Sequence, residues 1–241
     1  MKIPIVMPTY NRPEFLRVVV DHLRVCDNID KFKIYTSEEP GFPEVQKIFK
    51  SIDFMEIERH INDRRLDCNN NVLQAINIGF LNADFVVVLE DDVVPARDFL
   101  NLCIWADENF RNDSSIGCVT GFSLSREEKP DQEVAADVLK WQYFWPWGWA
   151  TWKDRWEHPD NKEASDISKT GRNIHSWDIN FSNVFFLKNG FHSLFPVIPR
   201  TRNIGVHGRY VPSQLWHEQN MQTLFFADDD ENYFRSEFKL V

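Results

Sequence analysis

Apolar residues fall in short blocks along the first half of the chain, separated by stretches with helical spacing. Ile3–Met7, "IPIVM", is an apolar run of strand length. In "TYNRPEFLRVVVDHLRVC", Phe15, Leu16, Val18, Val19 and Leu23 make one stripe at helical period, which predicts a helix. Asn11 is placed to cap it, with Glu14 three residues on completing a capping box. "KFKIYTS" predicts a second strand, followed by the acidic turn "EEPGFP" and a helix from about Glu44. "MEIERH" reads as a third strand and "NNNVLQAINIGFL" as a helix, with Val72, Leu73, Ile76 and Phe80 on one face. "FVVVL", Phe85–Leu89, is a fourth strand with no polar alternation, as expected of a central parallel strand covered on both faces.

Strands alternating with helices predict an α/β fold with a mostly parallel central sheet flanked by helices. The second half is less regular. "SIGCVTGF" suits a fifth strand, and "FWPWGWATWKDRW" packs Trp145, Trp147, Trp149, Trp152 and Trp156 into a short span. Residues 161–172 are polar and read as loop, "SWDINFSNVFFLKNGF" as partly helical, and "SLFPVIPRTRNIGVHGRYVP" as a strand and a glycine-bearing loop. No repeat or low-complexity linker divides the chain, so one domain over 1–241 is expected. Its regular half would cover about 1–120 and its less regular half about 121–241.

Composition narrows the function. Of 241 residues, 43% are hydrophobic, as in ordinary globular chains, and the formal net charge of −10 argues against nucleic acid as a partner. Cys26, Cys68, Cys103 and Cys118 are scattered without zinc spacing, which predicts free thiols in a reducing compartment. No apolar run approaches roughly 18 residues, so no transmembrane helix is expected. The proline-interrupted start is unlike a signal peptide. With strand 1 almost at the N-terminus, a cytoplasmic protein is the expectation.

The chemistry concentrates where Phe85–Leu89 runs into Glu90, Asp91 and Asp92. Parallel sheets bind ligands beyond the carboxyl ends of their strands. Adjacent carboxylates held there need a cation or a shared proton, and hard oxygen ligands select Mg²⁺ or Mn²⁺, which keep open positions for phosphates. A nucleotide diphosphate is the natural partner. A solvated acidic turn is the plainer alternative.

"VVVLEDDVVPARDF" resembles the DXD-type motif of GT-A glycosyltransferases, and most closely that of the inverting N-acetylglucosaminyltransferase I and protein O-mannose N-acetylglucosaminyltransferase group. "FWPWGWATWKDRWE" is similar to that group's "FPGLGW" segment, "SWDINF" to its "WDDW", and "PVIPRTRNIGVHG" to its "PEISRT…G…SHG", all in the same order. "MPTYNRPEFL" also looks like the opening of bacterial family-2 glycosyltransferases. The resemblance spans most of the chain from Ile3 to about Tyr210. It implies a metal-dependent inverting glycosyltransferase that uses Mn²⁺ or Mg²⁺ and a nucleotide-sugar donor, most simply a UDP-sugar. The acceptor would be a glycan or glycolipid.

The resemblance further implies that Asp92 binds the metal, Asp91 faces the ribose and Glu90 the donor sugar. Asp178 matches the catalytic base, although the group's second Asp is here Ile179. Asp154 and Glu157 are alternative bases, and a helix cap is the structural alternative for Asp178. Ser37 and Glu38 match a nucleobase contact, or belong to a solvated turn. Thr9 and Arg12 face the expected donor cleft, and Arg64 and Arg65 could reach the diphosphate. In "RTRNIGVHG", Arg200 and Arg202 could meet phosphates and His207 is a candidate metal ligand or phosphate donor, with Gly205 and Gly208 letting the loop fold over a ligand. Trp147, Trp149 and Trp177 are candidate acceptor-stacking rings, while core packing is expected to explain at least half of the tryptophans. Two other functions fit less well. A nucleotidyltransferase usually has a glycine-rich basic loop after strand 1, which "MPTYNRP" lacks. A non-catalytic carbohydrate-binding protein has no need of the acidic triplet and Asp178.

Overall fold

The computed structural model describes residues 1–158, 177–182, 186, 189–206, 213–220 and 222–241. Four strands and three helices alternate in the first half: β1 (Ile3–Thr9), α1 (Pro13–Arg24), β2 (Phe32–Glu38), α2 (Pro43–Lys50), β3 (Glu56–Glu58), α3 (Asp67–Phe80) and β4 (Phe85–Val88). β5 (Val93–Pro95), α4 (Phe99–Phe110), β6 (Ile116–Thr120), β7 (Asp137–Trp141), β8 (Trp149–Trp152), β9 (His192–Pro196), β10 (Thr201–Asn203) and β11 (Lys239–Leu240) follow. One sheet crosses both halves in the order β11-β7-β9-β6-β8-β4-β1-β2-β3, while β10 and β5 form a separate antiparallel ribbon. β3, β2, β1 and β4 run parallel, and β8 enters antiparallel between β4 and β6.

The predicted α/β architecture is present, and its cause is visible in the pleat. Alternate residues of β1 and β4 feed two cores: Ile5, Met7, Phe85, Val87 and Leu89 on one side, Val6, Val86 and Val88 on the other. α1 and α2 lie on the first side, burying Leu16, Val19, Val20, Leu23, Val45, Ile48 and Phe49. α3 lies on the second, burying Val72, Ala75, Ile76 and Phe80. Each fully buried valine or leucine contributes roughly 1.5–3 kcal/mol. α3 approaches closely because Gly79 has no side chain: a Cβ there would come 2.7 Å from Val6 Cγ1.

Several local expectations need correcting. α1 starts at Pro13, with Arg12 in the cap position and no side-chain cap, so the Asn11–Glu14 box does not form. Proline at the first helical position, with its preset φ, sets that start instead. α4, β5, β7 and β8 have no counterpart in the sequence reading. All four cysteines are free. Among the described residues no helix is long and apolar enough to cross a membrane.

Candidate active site

β4 ends at Val88, and its chain continues through Leu89 into the acidic triplet at the C-terminal edge of the parallel strands. Leu89 stays tied to β1 through its N–H on Val6 O at 3.0 Å. Asp91 and Asp92 are buried and Glu90 is half-buried. Arg12, just beyond β1, forks its guanidinium over both aspartates, Nη2 on Asp91 Oδ1 and Nη1 on Asp92 Oδ2. The Tyr10 N–H adds a third contact, 3.1 Å from Asp91 Oδ2. Pro13 turns the chain directly after Arg12, so the parallel pairing of β1 with β4 brings residues 80 positions apart together.

The electrostatics follow from enclosure. Burial pushes the Asp91 carboxyl up to about 6 despite Arg12, and burial and then Asp92 raise Glu90 well above the usual range. Burial pulls Arg12 down, but Asp91, Asp92 and Glu90 outweigh it and hold the guanidinium above its ordinary value. Burial thus pushes Glu90 and Asp91 toward the protonated form, and among the described residues no group of three acidic, histidine or cysteine side chains is arranged to hold a metal ion.

Asp92 is gripped from the other side as well. Its carbonyl accepts the Ile204 N–H at 2.8 Å, and its carboxylate lies against Gly205, where a Cβ would stand 2.1 Å from Oδ2. The Gly205 N–H donates to Asn203 Oδ1 at 2.9 Å, and His217 Nε2 lies 3.2 Å from the same oxygen. His217, in the helix Gln214–Asn220, is buried; burial lowers its pKa and the Asp92 charge opposes that shift. The sequence reading missed His217. Only the return of the chain past β10 brings it to Asp92. His207 and Gly208 lie outside the described residues.

Asp178 sits in a turn of helix, Trp177–Asn180, fastened to the start of α3 by the Trp177 N–H on Asn69 Oδ1 at 3.1 Å. Its charge reaches the triplet: after burial and the nearer carboxylates, Asp178 also raises Glu90. Cys68, exposed at the start of α3, also lies within electrostatic reach of Glu90, Asp92 and Asp178. The alternative bases lie elsewhere. Val88 pairs with Trp149 and Phe85 with Trp152, so β8 leads away from the triplet and leaves Asp154 and Glu157 at the opposite end of the sheet. Asp154 is held there by Arg155 Nη1 at 2.6 Å.

The remaining candidates divide by what already satisfies them. Glu38 is buried, with Arg59 on both carboxylate oxygens at 2.8 and 2.6 Å and the Thr36 hydroxyl also donating to it. That pairing makes it a structural ion pair rather than a nucleobase contact. Ser37 donates to Asn71 Oδ1 at 2.6 Å and welds β2 to α3. Its neighbour Glu39, overlooked in sequence, is buried and accepts the Leu66 N–H at 2.9 Å. Thr9 is buried, and its hydroxyl has no hydrogen-bond partner among the described residues. Arg65 lies over the Phe42 and Tyr10 rings, 5.0 and 5.9 Å from their centroids, which places it beside the Asp91 contact. Arg64 is exposed and lines a groove along α3 with Arg65.

Arg200 is fully buried and serves the core: it donates to Asp98 Oδ2 at 2.8 Å and to the carbonyls of Ile198, Ala135 and Tyr233. Arg202 forks onto Asp229 and covers the Phe226 ring. Trp149 and Trp177 are buried and stacked, centroids 5.8 Å apart, in one core with Phe144 and Phe181. They pack rather than face an acceptor. Trp147 is half-buried.

No family model matches the chain, and no curated protein does. Among solved structures, the mannosyltransferase PcManGT from Pyrobaculum calidifontis, in complex with GDP-Man and Mn²⁺, superposes with a TM-score of 0.52 at 14% identity, over 83% of this chain and 57% of that one. S. aureus TarS 1-349 gives a TM-score of 0.55 at 11% identity, over 81% of this chain and 60% of that one. The fold is that of GT-A glycosyltransferases. This chain spans 57% and 60% of the lengths of those two structures. In α/β sheets of this kind ligands lie beyond the carboxyl ends of the strands, the edge at which the acidic triplet and Arg12 meet.

Proposed function

We propose that this chain is an inverting glycosyltransferase that moves a sugar from a nucleotide-sugar donor, a UDP-sugar in the first instance, to a hydroxyl of a glycan or glycolipid. The observation that carries the reading is the enclosed row Glu90–Asp91–Asp92 at the end of β4, with Arg12 forked over two of its members and Asp178 within electrostatic reach. The donor set fits Mn²⁺ or Mg²⁺, held by Asp92 with waters and donor phosphates completing the shell. Such a cation would neutralise charge on the departing diphosphate.

The chain's own groups supply the rest. Asp91 takes the ribose and Glu90 the donor sugar, while Arg12 and Arg65 offer guanidinium groups on the phosphate side. Asp178 accepts the proton of the acceptor hydroxyl as its oxygen bonds to the anomeric carbon. The electron pair of the breaking bond leaves with the diphosphate, and one in-line displacement inverts the anomeric centre. Residues 1–120 would supply the donor half and 121–241 the acceptor half of a single domain. The test is turnover of a nucleotide-sugar panel that includes UDP-sugars and GDP-mannose, with the product's anomeric configuration read by NMR. Inverted product is expected. Retained configuration, or no turnover and no hydrolysis of any donor, overturns the proposal.

A further inference from the structure

The segment Trp141–Gln142–Tyr143–Phe144–Trp145–Pro146–Trp147 runs from the end of β7 toward β8. It contains no charged residue, in a protein of formal net charge −10. Trp141, Gln142 and Tyr143 are all exposed, the two rings at 64% and 44%, and from Tyr143 the members alternate, with Phe144 and Pro146 buried and Trp145 and Trp147 half-buried. The outward residues form a row of rings: Tyr143 and Trp145 have centroids 4.8 Å apart, and Trp145 and Trp147 stack at 5.4 Å. Buried Phe122 backs the inner end, 4.6 Å from Trp147.

Every carbonyl beneath an outward ring is tied down by a fully buried hydroxyl. Ser193 donates to Tyr143 O with Trp141 O a second acceptor 3.3 Å away, Thr120 donates to Trp145 O at 3.0 Å, and Thr201 to Trp147 O at 2.6 Å. These bonds satisfy the buried hydroxyls and also hold the backbone beneath the outward rings, and rings held in place lose little freedom when a ligand arrives. The inner end of the row lies toward the triplet's edge of the sheet: Trp149, two residues after Trp147, pairs with Val88, the last residue of β4.

We propose that Trp141, Tyr143, Trp145 and Trp147 form a platform for an extended, neutral oligosaccharide, on which successive sugar rings lay their C–H faces. This rests on the glycosyltransferase reading for the ligand class, and it deepens that reading: the acceptor is a chain of several sugars rather than a single residue. The absence of charge favours a neutral glycan over an acidic polymer or an anionic membrane surface, either of which would want basic residues here. The alternation is that of an extended strand, with outward rings every second residue, roughly 6.6 Å apart along the backbone.

The experiment is calorimetric titration of the whole chain with chitohexaose, cellohexaose and mannohexaose, alongside nucleotide binding with Mn²⁺. The wild type is expected to bind at least one hexaose with little dependence on salt. Trp141→Ala and Tyr143→Ala should each weaken it about tenfold, above the effect of most single contacts. Ser193→Ala removes no ring but frees the backbone beneath Trp141 and Tyr143, and should weaken binding by a smaller factor, which a merely sticky surface would not show. Circular dichroism and melting temperature check that the variants fold. If none of the hexaoses binds while nucleotide binds, the platform is wrong and the enzyme reading stands. If a hexaose binds in the expected pattern but no nucleotide does, the platform stands and the enzyme reading fails. A concentration-dependent dimer in sedimentation that Trp141→Ala abolishes would assign the row to self-association and overturn the proposal.

Discussion

Gly205→Ala puts a methyl carbon 2.1 Å from Asp92 Oδ2 and 2.9 Å from its Cγ, where ordinary contact begins at about 3.4 Å. Something must move by more than an ångström. The candidates are the Asp92 carboxylate, which would leave Arg12, and the loop, which would strain the Ile204 N–H bond to Asp92 O. Overpacking of this kind costs about 1–3 kcal/mol. A chain of this length loses roughly 2–4 °C of Tm per kcal/mol, so a fall of about 2–12 °C is expected. The informative assay is a double-mutant cycle with Asp92→Ala, which removes the group the methyl meets. Gly205→Ala should then cost less, with a coupling of at least about 1 kcal/mol by chemical denaturation. Additive losses, or a single variant with wild-type stability, would refute the contact between Gly205 and Asp92.

Three further outcomes follow from the site and the core. Asp178→Asn removes the proton acceptor with little change of shape, so transfer should fall about 10²–10⁴-fold with nucleotide affinity nearly unchanged, as measured by initial rates and calorimetry. Arg12→Met leaves Asp91 and Asp92 without their guanidinium; the Tm without cation should fall, and Mn²⁺ should restore more of it than it adds to wild type. Arg200→Met strands Asp98 in the core and should cost about 3–5 kcal/mol in denaturant unfolding, a loss no nucleotide specifically repairs.

Legibility from sequence tracked how local the cause was. Phe85–Leu89 reads as a central strand because every residue is apolar and both faces are in fact covered. The parallel order of β1 to β4 follows from strands and helices that alternate, and it alone places the acidic triplet at a ligand-binding edge. The tryptophan segment was not legible. Its division into buried Trp149, Trp152 and Trp156 and half-buried Trp145 and Trp147 depends on β8 running antiparallel between β4 and β6, a long-range pairing no local pattern encodes. The same pairing separates Asp178 from Asp154, which residue type leaves equivalent. Arg200 and Arg202 are two residues apart in one motif, yet one is a core ion pair and the other reaches the surface, because alternate residues meet different neighbours. Asn11 lost the cap to a competing local signal, Pro13, that was itself in the sequence.

The central claim is that the enclosed carboxylates hold a cation that bridges to a nucleotide diphosphate. Isothermal titration of UDP and GDP into the wild type and Asp92→Ala, each with Mn²⁺ and with chelator, tests it most directly. The account predicts binding by the wild type that needs Mn²⁺, and loss of that binding in a folded Asp92→Ala protein. Equal nucleotide affinity with chelator and with Mn²⁺, or Mn²⁺-dependent binding undiminished in Asp92→Ala, would contradict it.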